Sequence, residues 1–269
     1  MVIEADQRFF RIGLREIWHY RELLYFMIWR DLKVRYKQTI LGASWAVLQP
    51  LATMMIFTLV FSIIARFPSD GLPYPVFAYC ALLPWYFFSK SVTSCSMSIV
   101  SNDNLIKKVY FPRLILPIAT VLTNIVDFIL SFFILLGLML WFKISLTIKA
   151  FAAIFFLLFA FIVSLSIGLW LAVLNVRYRD INHIIPFLLQ LWMYLTPNFY
   201  PVSFIPEKWR SYYMLNPMVG VVEGFRWALL NKPDMDFTFL GINISMMLIL
   251  LIAGLFYFEK TEKTFADVI

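Results

Sequence analysis

Charge is scarce in this 269-residue chain: only 14% of residues are Asp, Glu, Lys or Arg, where a soluble domain carries about a quarter. With 62% hydrophobic residues, 28 Phe and a mean hydropathy of +0.80, that shortage excludes a soluble enzyme or a disordered chain and makes lipid the solvent. Cysteine is nearly missing. Cys80 and Cys95 lie in or beside apolar runs, so no disulfide framework or zinc spacing is available. His19 and His183 have no second ligand at metal spacing, so no metal site is expected. No Gly is followed by Lys, which removes the Gly-x-x-x-x-Gly-Lys phosphate loop and ATP hydrolysis by that route. H-E-x-x-H and G-x-S-x-G are also missing. Nine Gly and 13 Pro are too few for a linker-rich protein. Residues 1–44 hold eight Lys or Arg and no long apolar run, so they do not form a signal peptide and are expected to stay in the cytoplasm.

What is present is apolar length. A helix needs about 20 apolar residues to cross roughly 30 Å of hydrocarbon. Six runs qualify: about 43–65, 75–97, 115–141, 148–173, 183–200 and 237–258. The second turns polar through Ser89-Lys90-Ser91, and the fifth is short and bounded by Pro186 and Pro201. Strand-like alternation is missing and backbone groups in lipid must be satisfied internally, so the spans are predicted as helices. An even number of spans puts both termini on one side. Sixteen of the 23 Lys and Arg then fall with the termini, which the positive-inside rule assigns to the cytoplasm. The basic surplus is thus read as orientation, and no nucleic-acid partner is expected.

Four segments are not spans. Residues 8–24 place Arg8, Arg11, Arg15, His19 and Glu22 at helical spacing opposite Phe10, Leu14 and Ile17, with Phe9, Trp18 and Tyr20 widening the apolar side. This predicts an amphipathic helix in the inner headgroup layer, or else an ordinary helix packed on protein. A second basic stretch, 29–41, leads into the first span. In the 2–3 connection, Ser101 or Asn102 is placed to cap a short helix, Asp103 suits its positive end and Pro112 stops it. That helix is either a tight turn or a docking knob with Leu105, Ile106, Val109 and Tyr110 as its apolar contact. The 5–6 connection, Pro201 to Asp236, is too apolar for an aqueous loop. Two short helices dipping into the outer leaflet, broken at Asn216-Pro217, fit it better. Gly220 and Gly224 make a small-xxx-small pattern there.

Asp127 lies midway along the third span, where a carboxylate is costly and points to function. No basic residue is expected at its depth, so a buried lock to hydroxyls and a pathway role both stand. Arg177 and Arg179 read as membrane anchors offset by Asp180, and Glu223 with Arg226 as an i, i+3 pair. Asp234-Met235-Asp236 looks like the metal-binding acid pair of some glycosyltransferases, but it falls on the outer side, where activated sugars are not expected.

The order of features resembles the membrane permease subunits of bacterial ABC exporters for polysaccharides: O-antigen, capsule and teichoic acid. The resemblance is carried by Gly42-Ala43-Ser44-Trp45 with Gln49-Pro50, by Leu83-Pro84-Trp85 with Phe87-Phe88, and by Asn102 through Pro112. Asn175-Val176-Arg177-Tyr178-Arg179-Asp180 with Pro186, Leu195-Thr196-Pro197 with Tyr200-Pro201, Asn216-Pro217, Glu223 with Arg226, and Phe265-Ala266-Asp267 complete it.

The resemblance implies an all-α integral membrane fold over a single permease domain, residues 1–269, that forms a homodimer with two copies of a separate ABC ATPase subunit. About 1–42 would be cytoplasmic or interfacial, 43–258 the six-span bundle, 201–236 the outer gate segment and 259–269 a cytoplasmic tail. ATP and Mg would be held by the ATPase, with no cofactor in this chain and no catalysis. The coupling helix would be Asn102, Asn104, Leu105, Ile106, Lys107, Lys108, Val109, Tyr110 and Phe111, seated in a groove of the ATPase. Gate helices at the outer mouth would contain Trp209, Tyr212, Tyr213, Asn216, Pro217, Glu223 and Arg226. Channel-lining candidates are Phe57 and Phe61 on the first span and Trp192, Tyr194, Phe199 and Tyr200 on the fifth. Aromatic rings suit a sugar chain because they offer flat apolar bodies with polar tips, although aromatics also form interfacial belts. The expected activity is export of a lipid-linked polysaccharide across the bacterial inner membrane. Export of a drug or lipid, or a membrane glycosyltransferase using a lipid carrier, remain the alternatives.

Overall fold

The computed structural model describes residues 14–37, 44–232, 235–262 and 265. Among them the regular structure is entirely helical. Helix α1 (Leu14–His19) bends at Tyr20 into α2 (Arg21–Lys37). Then come α3 (Ser44–Phe57, continued as a wide π-turn over Thr58–Ile64), α4 (Tyr74–Met97), α5 (Asp103–Lys108), α6 (Ile115–Trp141) and α7 (Ala152–Arg177). Helices α8 (Ile181–Tyr194), α9 (Glu207–Tyr213), α10 (Pro217–Leu229) and α11 (Phe237–Glu262) complete the chain.

Among the described residues, four helical stretches are long and apolar enough to cross a membrane: Ser44–Ile64, Ile115–Trp141, Ile148–Arg177 and Phe237–Glu262. The runs expected at 75–97 and 183–200 are helical but differ. Helix α4 has the length, yet its Tyr, Trp, Ser and Pro residues and Lys90 dilute its apolar character. Helix α8 has 14 residues, about 21 Å at 1.5 Å each, and the chain unwinds into turns from Leu195 to Tyr200.

Helix α4 forms the centre of the bundle, buried continuously from Val76 to Trp85 and packed on α6, α7 and α10. Two glycines set the closest approaches. A Cβ on Gly168 of α7 would overlap Cys95 of α4, and one on Gly224 of α10 would overlap the Phe156 ring of α7. Polar groups stitch the apolar interior. Ser131 donates to the Ala46 carbonyl (2.8 Å), Asn175 to the Ser96 carbonyl (2.9 Å) and Trp170 to the Leu250 carbonyl (3.2 Å). In hydrocarbon such groups need partners within the protein.

The amphipathic helix expected at 8–24 is described only from Leu14, so Arg8, Arg11, Phe9 and Phe10 lie outside the described residues. Where it is described, Ile17 and Met27 turn inwards while Trp18, Tyr25, Phe26 and Trp29 remain exposed. Helix α2 lies along α6 rather than standing apart from the bundle.

Candidate functional site

At one end of the bundle the short helix expected over Asn102–Phe111 is one and a half turns, Asp103–Lys108. Asn102 does not cap it with its side chain. Its amide donates to the Ser98 carbonyl (2.8 Å), and its oxygen accepts from Arg30 of α2 (2.9 Å). The chain after Lys108 is extended, because Val109 takes β-region angles on the way to Pro112. The expected apolar contact is therefore split. Ile106 and Phe111 are buried in the chain's own core and Leu105 packs against it, whereas Asn104, Lys107, Lys108, Val109 and Tyr110 face outwards. Tyr110 is 91% exposed, the extreme among the large apolar side chains on this segment. Arg113 donates its backbone N–H to Glu262 Oε1 (3.3 Å) and its guanidinium to the Glu262 carbonyl, fastening α11 to the same segment. Phe265 is buried against Phe258 beside it.

Asp127 has the basic partners that the sequence did not reveal. Arg35 of α2 donates to Asp127 Oδ2 (2.9 Å) and to Asn124 Oδ1 (3.0 Å), and Lys90 of α4 stands 3.6 Å from the same carboxylate. The Tyr36 hydroxyl donates to Asp127 Oδ1. Burial, then the adjacent carboxylate, pushes the Tyr36 pKa well up, so it stays a donor. The expectation of a partnerless acid failed because Arg35 precedes the spans in sequence, yet folds back along α6.

At the other end, α9 and α10 break where expected. Asn216 caps α10, its side-chain oxygen accepting from Met218 N (3.0 Å), and Pro217 fills the first helical position, where no N–H is needed. The Asn216 amide also donates to the Leu195 carbonyl (2.9 Å), and its oxygen accepts from the Trp192 indole (3.0 Å), tying the break to the end of α8. Trp192 is thereby fixed against Asn216 and edge-on to Phe88. Arg226 is completely buried, with its guanidinium 3.6 Å above the Phe77 ring. It donates to Glu223 Oε1 (3.0 Å), to the Phe77 carbonyl (3.5 Å) and to the Asn198 carbonyl (3.4 Å). Glu223 Oε2 takes Lys232 (2.7 Å), which also reaches Asp70 (3.2 Å). The i, i+3 pair read from the sequence is therefore half of an alternating four-charge chain.

Around this clamp the aromatic candidates gather into one file. Phe61 stacks on Phe199 (4.7 Å between centroids), and Phe57 meets both rings edge-on at 5.4 Å. Phe199 continues to Tyr194 (5.7 Å) and Tyr200 (4.9 Å). The Tyr200 hydroxyl donates to the Tyr194 carbonyl (2.8 Å) and accepts from Tyr213 (3.0 Å). Phe199 is buried and backs the file, while Tyr194 is half exposed. Beyond Tyr200 opens a groove of about 570 Å³ lined by Trp192, Leu195, Trp209, Tyr212, Tyr213 and Asn216, among others. Five of the thirteen residues assigned to lining and gate thus share one surface with Tyr200. Phe67 and Phe204, paired at 5.2 Å and joined to Phe61 and Tyr200, extend it and were missed because they lie in connections 137 positions apart that only the fold brings together. No group of three His, Cys, Asp or Glu able to hold a metal occurs among the described residues. Asp234 lies outside them.

Comparison with known proteins gives the family. Residues 22–230 match the ABC-2 type transporter family. The chain is 32% identical to the O-antigen export system permease protein RfbA of Myxococcus xanthus over 259 residues, covering 94% of this chain and 98% of that protein. It is 28% identical to an RfbA of Klebsiella pneumoniae, covering 92% and 95%. It is 26% identical to the polysialic acid transport protein KpsM of Escherichia coli, covering 87% and 91%. With four long apolar helices and a family match over most of its length, this chain is a multi-pass membrane protein that belongs to the ABC-2 type transporter family.

Proposed function

We propose that the chain is the membrane subunit of an ATP-driven exporter that moves a lipid-linked polysaccharide out of the cytoplasm. The observation that carries this reading is the aromatic file from Phe57 and Phe61 through Phe199 and Tyr194 to Tyr200, opening into the Trp209–Tyr212–Tyr213 groove. Rings in series give a sugar chain many shallow stacking positions and no single deep trap, which is what processive passage of a polymer requires. The names of the relatives, two O-antigen export permeases and a polysialic acid transport protein, agree with that chemistry.

In this reading α4 and α8 complete a six-span bundle with the four long apolar helices. Helix α4 is shielded by its neighbours, and α8 is lengthened by the turns after Tyr194. Helices α9 and α10 re-enter the outer leaflet as a gate, with Arg226 as the anchor of α10. Both termini lie in the cytoplasm of a bacterial cell, and the membrane is the inner one. The file borders only one side of a path, and α3 and α8 leave Met55, Ile56, Leu59 and Phe187, Leu188, Leu191 uncovered. A second copy closes the path, making a homodimer. Energy comes from two copies of an ABC ATPase that hold ATP and Mg, docked on Asn104, Lys107, Lys108, Val109 and Tyr110. Ile106 and Phe111 act from behind as the core that keeps this knob in place, and Arg30 on Asn102 passes its movement to α2. The whole chain works as one permease domain.

The test is co-expression of the chain with its ATPase and assay of both the complex and polymer export. Tyr110→Ala and Lys107→Glu are expected to abolish co-purification while leaving the permease folded and in the membrane. An isolated chain that exports without any nucleotide-hydrolysing partner, or that turns over a lipid-linked sugar by itself, would overturn the proposal.

A further inference from the structure

The uncovered surfaces of α3 and α8 each carry two stripes. On α3, Leu48, Ala52 and Met55 follow helical spacing and are wholly apolar, whereas Gln49 and Thr53 lead in steps of one turn to Phe57. On α8, Ile184, Leu188, Leu191 and Leu195 make the apolar stripe, and Gln190 leads in one turn to Tyr194. The second stripe of each helix is the one that ends in the aromatic file, since Phe57 and Tyr194 both meet Phe199. The file therefore continues towards the α5 end, and there its rings give way to amides and hydroxyls.

Depth makes this continuation costly. The Thr53 hydroxyl bonds that of Tyr86 on α4 (2.6 Å), and one turn further along α4 Lys90 stands 3.6 Å from Asp127, midway along α6. Between those two positions Phe88 meets Trp192 of α8 (5.3 Å). Gln49 and Gln190 thus lie near the middle of the bundle. Both are exposed, and neither side-chain amide bonds another described residue. Helix α4, buried over most of its length, is partly uncovered at Ser89 and Thr93 on the side of Tyr86. Thr53 and Thr93 turn their hydroxyls onto the carbonyls of Gln49 (3.0 Å) and Ser89 (2.9 Å) in their own helices, an outlet open to Thr at any depth. A glutamine amide, with its donors and acceptor at the end of a longer chain, lacks that outlet and would stay unsatisfied against hydrocarbon.

Lipid tails and a second copy are served by the apolar stripes. The amides call for an environment that both donates and accepts, which water and hydroxyl groups do. We infer that Gln49 and Gln190, with Ser89 and Thr93, line a water-filled stretch of the path in which they hydrogen-bond to the hydroxyls of a sugar chain. The sugar as occupant rests on the export reading, whereas the unpartnered amides at mid-depth do not. Helix α4 then forms a third wall of the path beside α3 and α8. A chain coming from the α5 end meets exchangeable hydrogen bonds, direct or through water, before it meets the rings.

The full chain with its ATPase in lipid nanodiscs, carrying Gln49→Cys or Gln190→Cys, is treated with a charged, water-soluble methanethiosulfonate. Cys80 and Cys95 are buried and stay silent. Both introduced thiols should be modified, and that of Leu188→Cys on the apolar stripe should not. Maltoheptaose should slow the modification, and polyethylene glycol of equal mass, which has hydroxyls only at its ends, should not. With Gln49→Cys as reporter, Gln190→Leu should raise the maltoheptaose concentration for half protection roughly five- to tenfold, the value of one hydrogen bond. With Gln190→Cys as reporter, Gln49→Leu should do the same, and Leu191→Ala should change neither. Thiols that stay unmodified overturn the inference, whether they face lipid or cross-link to the same position of a second copy. Equal protection by the two polymers, or protection by neither, also overturns it, because hydroxyls are then not what the belt holds. Protection by maltoheptaose in a complex that exports no polymer would instead overturn the export reading and leave the belt standing.

Discussion

Two charge clusters brace this bundle, and their compositions differ. Between α2, α4 and α6, a single carboxylate, Asp127, faces two cations, Arg35 and Lys90. Beside α10, Arg226, Glu223, Lys232 and Asp70 alternate in sign and cancel. Burial tracks the difference. The Arg226 side chain has no exposure at all, whereas those of Arg35 and Lys90 keep 32% and 31%. A fully enclosed cation must be matched because its desolvation is not otherwise offset. A cation that still reaches water or lipid headgroups can be in excess. The Arg226 cluster is thus a closed clamp holding α10 on α4, and the Asp127 cluster is an open strap holding α2 on α6.

If that contrast is right, the clamp breaks hardest. Arg226→Met removes the donors to Glu223, Phe77 and Asn198 together and should cost about 3 kcal/mol. For a chain of this size that corresponds to a fall of roughly 10 °C in unfolding midpoint. Cys80 and Cys95 are both buried, so a fluorogenic maleimide that reports their exposure on heating measures the change directly. A midpoint equal to that of the parent protein would remove the clamp from the account. Asp127→Asn should come second, at about 2 kcal/mol, because it leaves two cations facing each other but near enough to the surface for partial solvation. The same thiol assay should rank it below Arg226→Met.

The contrast also explains what could be read beforehand. Helices α3, α6, α7 and α11 follow from long apolar runs, and the α6 boundaries agree with the expected 115–141 to the residue. The break at Asn216-Pro217 was legible because a capping side chain followed by Pro is a local signal. The Glu223–Arg226 pair was legible for the same reason, being three residues apart on one helix. Arg35 with Asp127, 92 positions apart, and Lys232 with Asp70 have no local signature, so only the fold brings them together. The segment from Asn102 to Phe111 shows the middle case. Its composition marked it, but Ile106 and Phe111 pointing inwards depends on what α6 and α11 place beneath them.

The smallest expected effect is the most discriminating. Lys90 sits 3.6 Å from Asp127, farther than the 2.9 Å of Arg35, and the acid retains both Arg35 and the Tyr36 hydroxyl without it. Lys90→Met keeps a long unbranched helix former in α4 and removes the charge that the strap carries in excess. Its stability should stay within about 0.5 kcal/mol of the parent, since trading a partly buried ion for an apolar side chain of similar length is often neutral. On the Asp127→Asn background the same substitution should change sign and become stabilising, because there Lys90 only repels Arg35. That makes a double-mutant cycle decisive. A strict surplus predicts recovery in the double variant, whereas a cluster that needs both cations predicts that each loss adds to the other.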